Sequence, residues 1–342
     1  MTTRPGIFLI CLLMSSLGSF AQDSPRKVTE DGYIENMSEW VSVDLSVNNA
    51  YEKFAVHLPD QDIMLSPNTS LITRLNLNYE WLSAGFEFAP KFIPGNDDND
   101  LKGSTNAFSF GTALIFKHWW FEGSFSRVRG YFLENTNDFN PNWRVGDAYT
   151  QFPDLQFTGF EVLSGFSANS RFSFRSLTSQ TERQLKSTGS FIPALLLRYY
   201  IIDDKTPQAN SSQRTDSFES SMGPGYAYTF VIRESFYVST GLIGSVGYLN
   251  TKLTTRTQGQ EFTDYQDNFI LRWQLRSGIG YNGTRTYGGI YGSFQGAQYK
   301  QENTTAMNTE DRLFFHIFIG YRFKAPKPLK EKFDWLNDQI PE

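Results

Sequence analysis

Apolar and polar positions alternate at period two along much of the chain. Near the C-terminus Leu313, Phe315, Ile317, Ile319, Tyr321 and Phe323 hold every second position, and the other parity holds Phe314, His316, Phe318, Gly320 and Arg322. Successive side chains of a strand point to opposite faces, so this run predicts a strand with one apolar face and one mixed face. Leu71, Thr73, Leu75, Leu77 and Tyr79 repeat the pattern against Arg74, Asn76 and Asn78. Beyond Glu80-Trp81, Leu82, Ala84, Phe86 and Phe88 alternate with Ser83, Gly85 and Glu87. Val41–Val47, Phe108–Phe116 and Phe121–Phe125 behave alike, and further strands are predicted at 155–167, 171–182, 189–202, 221–233, 236–254, 262–282 and 285–300. Small residues such as Ala107, Ala113, Gly278, Gly280 and Gly288 crowd one face of several strands. On a barrel wall they relieve crowding and permit bending.

The spacing of turns adds the architecture. Tight turns are read at Lys117-His118, Ala168-Asn169-Ser170, Arg233-Glu234-Ser235 and Asn282-Gly283, and longer polar connections at 93–103, 133–154, 203–220, 255–261 and 300–310. Short turns alternating with long loops predict an all-β fold: a closed antiparallel transmembrane up-and-down β-barrel of about 12 strands, with 14 as the alternative. The count does not close. Stepping back from Phe323 puts Asn282 and Arg233 on the periplasmic side but Glu80 and Lys117 outside, so one strand between 133 and 220 is missing or over-counted.

Composition supports a barrel. Hydrophobic residues make up only 39% of the 342 positions, yet aromatics reach 16%, with 31 Phe. A wall with an apolar outside, a wet inside and aromatic girdles needs that mixture. Residues 1–21 have the parts of a cleaved secretory signal: Arg4, the apolar run Ile7–Met14, and Ser19-Phe20-Ala21 ahead of Gln22. The apolar run is far shorter than the roughly 20 residues that span a bilayer. Export without a spanning helix leaves a soluble protein or a barrel. The predicted organisation is a signal peptide (1–21), an N-terminal periplasmic segment (22–39), an outer-membrane barrel (40–324) and a periplasmic tail (325–342). The net charge of −5 offers no basic patch, which excludes nucleic acid as a partner. Cys11, the only cysteine, lies in the leader, so no disulfide, thiolate nucleophile or cysteine-held metal is expected in the mature chain.

Phe172–Phe191 (FSFRSLTSQTERQLKSTGSF), Gly225–Phe230 (GYAYTF) and Gly130–Asn135 (GYFLEN) resemble an uncharacterised outer-membrane β-barrel family of the Bacteroidota, described only as a domain of unknown function. The resemblance covers residues 35–324 and implies location and fold, with no activity or catalytic residues to carry over. Outer-membrane lipid and the barrel assembly machinery are the partners that such a fold implies. The chain departs from many barrels in continuing past the aromatic end of its last strand, Phe323.

Candidate chemistry is sparse. No pair among His57, His118 and His316 has metal-ligand spacing, and no cofactor motif is present. The acidic run 96–100 (NDDND) lacks the spacing of a calcium loop. The densest polar group is Arg175, Gln180, Glu182, Arg183 and Lys186, with Glu161, Arg127 and Arg129 on preceding strands. If Phe172, Phe174, Phe160 and Phe121 face lipid, several of these residues point into the lumen, either pairing to rigidify it or selecting a charged or polar solute, with Glu161–Arg175 as the leading pair. His316 could act as a general base if a Ser or Asp stood beside it. Three readings follow: a non-catalytic wall, narrow-pore or solute-transport barrel; a membrane-embedded lipid-modifying enzyme; and an exported soluble β-sandwich.

Overall fold

The computed structural model describes residues 27–49, 53–57, 62–205, 211–257, 259–300 and 307–339. The leader predicted at 1–21 lies outside them. Twelve strands form one closed antiparallel ring. In chain order they are β1 (Trp40–Asn49), β2 (Leu71–Tyr79), β3 (Leu82–Phe88), β4 (Asn106–Ile115), β5 (Trp119–Leu133) and β6 (Gln151–Phe166). There follow β7 (Thr188–Phe191 with Ala194–Asp204), β8 (Ser211–Gly223 with Gly225–Ile232), β9 (Phe236–Thr257), β10 (Gln260–Asn282), β11 (Thr286–Lys300) and β12 (Met307–Lys324). Each strand pairs with its neighbours in sequence, and β12 returns to β1 in a register running from His316↔Asn48 to Lys324↔Trp40. Pro193 and Pro224 explain the breaks in β7 and β8, because proline has no N–H to give to a ladder.

Ring closure excludes a β-sandwich fold and resolves the strand count. Residues 171–182, predicted as a wall strand, are not one. After β6 the chain turns into the barrel, and residues 167–187 form a plug across one mouth before β7 begins. The supposed tight turn at Ala168-Asn169-Ser170 is the entrance to this plug. With that strand removed, parity closes, and the turns at Glu80, Lys117, Arg233 and Asn282 all lie at the same end. The plug proves this by touching each of them: Thr181 Oγ1 donates to Glu80 O (2.7 Å), Ser167 N to His118 O (2.7 Å), Arg183 Nη2 to Glu234 O (3.2 Å) and Arg183 Nε to Asn282 O (2.8 Å).

The alternation sorts side chains as predicted. Leu75, Leu77, Phe86, Phe88, Leu242, Val246, Leu271, Ile279, Ile317 and Ile319 stand exposed on the outside. Aromatic rings form a row across β3 to β6, with Phe86–Phe110 at 5.1 Å and Phe125–Phe160 at 4.8 Å between centroids. Inside, Gly85 and Gly111 leave the room that the Arg74 guanidinium occupies; a Cβ on either would collide with it.

The plug is held by both packing and polar contacts. Trp120 and Phe174 stack at 4.3 Å within an apolar cluster that includes Ile115, Leu163, Phe172, Ile192 and Leu196. Strand Glu182–Gln184 pairs with Ile34–Asn36, which pairs with Lys27–Val28, so the N-terminal segment and the plug share a three-stranded sheet. At the plug tip Gln180 adopts φ 56°, a left-handed conformation that side chains other than glycine rarely take. Its carbonyl is gripped by Arg322, through Nε at 2.9 Å and Nη2 at 2.6 Å.

A C-terminal helix, Lys327–Asn337, docks on the outside of the same end. Pro328 near its start tolerates the missing N–H of the first turn. Phe333 and Leu329 pack against Val41, Tyr79, Trp81 and Leu82. Glu39 ties this helix to the N-terminal segment, accepting from Lys27 Nζ and Lys330 Nζ, each at 2.8 Å. The two ammoniums hold its carboxyl down, from 4.5 to about 2. A depressed carboxyl pKa contributes stability that is present above pH 4.5 and lost as pH falls through about 2. The near-ultraviolet dichroism of the Trp81–Phe333 pair should therefore persist well below pH 4.5 and fade towards pH 2. Glu39→Gln should speed hydrogen exchange over 327–337 at neutral pH. Loss of the wild-type signal already near pH 4.5 would refute the clamp.

Candidate functional site: the plugged lumen

Above the plug lies a lumen cavity of about 320 Å³. Its floor is Leu177, Thr178 and Gln180, and its walls are the inward parity of β1 to β6, β7 and β10 to β12. Polar inward positions follow from the period-two pattern: Gln274 and Arg276 line the cavity while Trp273 and Leu275 take the opposite face of β10.

The charges of this lumen occur in pairs. Arg276 on β10 reaches across to Glu122 on β5, with Nη2–Oε2 at 3.0 Å and Nη1–Oε1 at 3.4 Å. Arg74 Nη1 meets Glu87 at 3.2 Å across the β2–β3 pair. Arg198 Nε stands 3.8 Å from Glu161 across the β6–β7 pair. Asp44 accepts from Asn76 Nδ2 at 2.7 Å, Asn78 Nδ2 at 3.2 Å and the Tyr287 hydroxyl at 3.2 Å. Deeper in the wall Arg272 grips Glu219 with two bonds of 2.8 Å.

Of the residues expected to line the lumen, Glu161 and Gln180 do so. Glu161 faces Arg198 instead of Arg175. Arg175 belongs to the plug, where Nε donates to Ile115 O at 2.6 Å and Nη1 meets Glu182 at 3.4 Å. Glu182 also accepts from Ser173 Oγ at 2.6 Å. Arg183 is a buried rivet, bonding Glu35 at 2.5 Å as well as the two turn carbonyls. Lys186 Nζ donates to Asp31 O at 3.0 Å and sits 5.1 Å from the centroid of the Tyr33 ring. These side chains anchor the plug and do not line a strand wall. Arg127 and Arg129 are on the outside, because they share parity with Phe121 and Phe125. There they bond Gln156 (3.0 Å) and Asp154 (2.5 Å).

His316 does face the cavity, among Tyr291 (5.0 Å), Phe318 (5.4 Å) and Phe314 (5.5 Å). Among the described residues no Ser or Asp hydrogen-bonds it. His118 Nδ1 lies 2.8 Å from Ser167 O at the plugged rim, and the side chain of His57 lies outside the described residues. Asn96 of the acidic run closes its own loop, accepting from Ser70 N at 2.8 Å and donating to Leu71 O at 2.7 Å. No group of three His, Cys, Asp or Glu residues placed to hold a metal occurs among the described residues. Nor does any helix among them have the length and apolarity to cross a membrane, which says nothing of strands.

Several solved structures align with most of this chain at low identity. The outer membrane protease OmpT of Escherichia coli aligns over 85% of this chain and 98% of its own, at 9% identity and TM-score 0.39. The beta domain of the Bordetella autotransporter BrkA aligns over 83% of this chain and 100% of its own, at 11% identity and TM-score 0.38. The outer-membrane-expressed OmpT of Vibrio cholerae aligns over 86% of this chain and 100% of its own, at 8% identity and TM-score 0.32. Among curated proteins none matches. A family model matches residues 26–323, nearly the whole barrel with its plug, and the chain belongs to that family, the "Domain of unknown function (DUF4421)".

Proposed function

We propose that this protein is a non-catalytic outer-membrane β-barrel of the Bacteroidota type. It is exported with its leader cleaved, its plugged end and C-terminal helix lie in the periplasm, and its lumen receives a small solute from outside. The apolar outer surface supports membrane lipid as the surrounding partner, since such a surface is costly in water and natural in a bilayer. Insertion would fall to the barrel assembly machinery. The observation that carries the reading is the plug. It closes one mouth with bonds to the turns of that end and leaves a polar cavity above it. Such a lumen is a vestibule in this state and not a through-pore. His316 gives the lipid-enzyme reading less support, because aromatic rings surround it and no Ser or Asp among the described residues hydrogen-bonds it.

The test is electrophoresis of membrane-extracted, full-length protein with and without boiling. A closed barrel should migrate differently before boiling and partition with membranes. A soluble protein with no shift would refute the membrane reading.

A further inference from the structure

We infer that the lumen cavity is a binding site for a neutral, polyhydroxylated solute, namely a mono- or short oligosaccharide. This rests on the vestibule reading and names its ligand class. Three features of the lining favour it.

The first is charge. Arg276, Arg74 and Arg198 are each matched by a carboxylate, and Asp44 is matched by amides and a phenol. A charged ligand would have to break one of these pairs and leave its partner uncompensated. A neutral ligand leaves all of them in place.

The second is the kind of polar group that remains. Ser46, Ser109, Ser124, Gln274 and Gln295 offer hydroxyls and carboxamides to the cavity. These groups both donate and accept, as sugar hydroxyls do. Ser293 is more specific. It lines the cavity, is 5% exposed, and its Oγ has no hydrogen-bond partner among the described residues. Buried hydroxyls are normally satisfied, so this one points to a polar group supplied by a ligand.

The third is shape. Tyr291, Phe314 and Phe318 form an aromatic side of the same cavity, against which the C–H face of a sugar ring can pack. The volume of about 320 Å³ falls at the small end of the roughly 300–1,000 Å³ of ligand pockets. The plug floor holds the solute in place.

The experiment is isothermal titration of the detergent-solubilised, full-length barrel, with its boiling shift verified first. The probes are glucose, maltose and maltotriose, against glutamate, arginine and inorganic phosphate. At least one sugar should bind saturably and the charged probes should not. Ser293→Ala should weaken that sugar about tenfold, and Tyr291→Ala should weaken it further, both with an unchanged boiling shift. Binding of a charged probe without any sugar would overturn the ligand class. A folded, heat-modifiable barrel that binds none of the six would overturn the site and leave the membrane reading standing. A preparation with no boiling shift would overturn both.

Discussion

Replacing Arg322 with alanine is expected to free the plug and turn a closed barrel into a conducting one. Arg322 is fully buried at the plugged end, stacked over the Tyr287 ring at 4.5 Å. Its guanidinium donates to Gln180 O, to Gly283 O at 2.5 Å and to Asn282 Oδ1 at 2.7 Å. One side chain thus ties the plug tip to the β10–β11 turn. Alanine would orphan several buried acceptors, at about 1–3 kcal/mol each. It would also remove the grip that keeps Gln180 in its left-handed conformation, so local release should relieve strain there. Lysine should rescue little, because one ammonium cannot span three acceptors in a fork. The tests are single-channel recording in planar bilayers and limited proteolysis of 167–187. Wild type should be silent and protected. Arg322→Ala should show discrete openings and cleavage within the plug while keeping the boiling shift. A silent, protected variant would mean that the Trp120–Phe174 core and Arg183 hold the plug without it.

The plug also shows where the sequence stopped being legible. The wall was readable because each strand carries its own period-two signal, as in Phe315, Ile317 and Ile319 outside against His316 and Phe318 inside. Antiparallel order and a barrel of about 12 strands were readable from that signal, whereas the parity conflict closed only with the ring of the structure. Segment 171–182 imitates it: Phe172 and Phe174 alternate with Ser173 and Arg175, although Phe172 packs inside the barrel and not on its outer face. Periodicity records that one face is buried and does not say against what. The parity conflict at Glu80 and Lys117 was the trace of this error, since deleting that one strand brings every short turn to one end.

The same limit governed the candidate site. Arg175, Arg183 and Lys186 stood out through local charge density, but their partners are Ile115 O, Glu35 with Asn282 O, and Asp31 O, far away in sequence, and only Glu182 pairs locally, with Ser173 and Arg175. The lumen charges were quieter. Arg74 and Glu122 are single ionic residues at inward parity on otherwise ordinary strands, and Arg276 shares its parity with Arg272 on β10. A parity filter would have found them, and would have rejected Arg127 and Arg129, which share the face of Phe121 and Phe125. Pairing across the ring, as in Arg276 with Glu122, was not readable, because it depends on which strands stand opposite after closure.

Arg272 and Glu219 give the largest expected effect in the wall itself. Their side chains are 7% and 1% exposed, and they meet through two bonds of 2.8 Å across the intervening strand β9. Arg272→Leu would leave Glu219 buried with Ser221 Oγ, at 3.3 Å, as a remaining donor. The expected loss is about 3–5 kcal/mol, most of it the cost of an uncompensated buried charge. Glu219→Leu should cost a comparable amount by stranding the guanidinium. The double variant Arg272→Met/Glu219→Leu should recover much of the loss, because two apolar side chains need no desolvation of ions. Urea unfolding of the lipid-reconstituted barrel, read as a double-mutant cycle, measures this coupling. Additive losses would show that each residue is held mainly by other contacts. Strong coupling with a stable double variant would show that the pair offsets its own desolvation without adding net stability. The conserved boiling shift of that variant would then separate a specificity device from a structural necessity, since a barrel that still closes without the pair does not need it to fold.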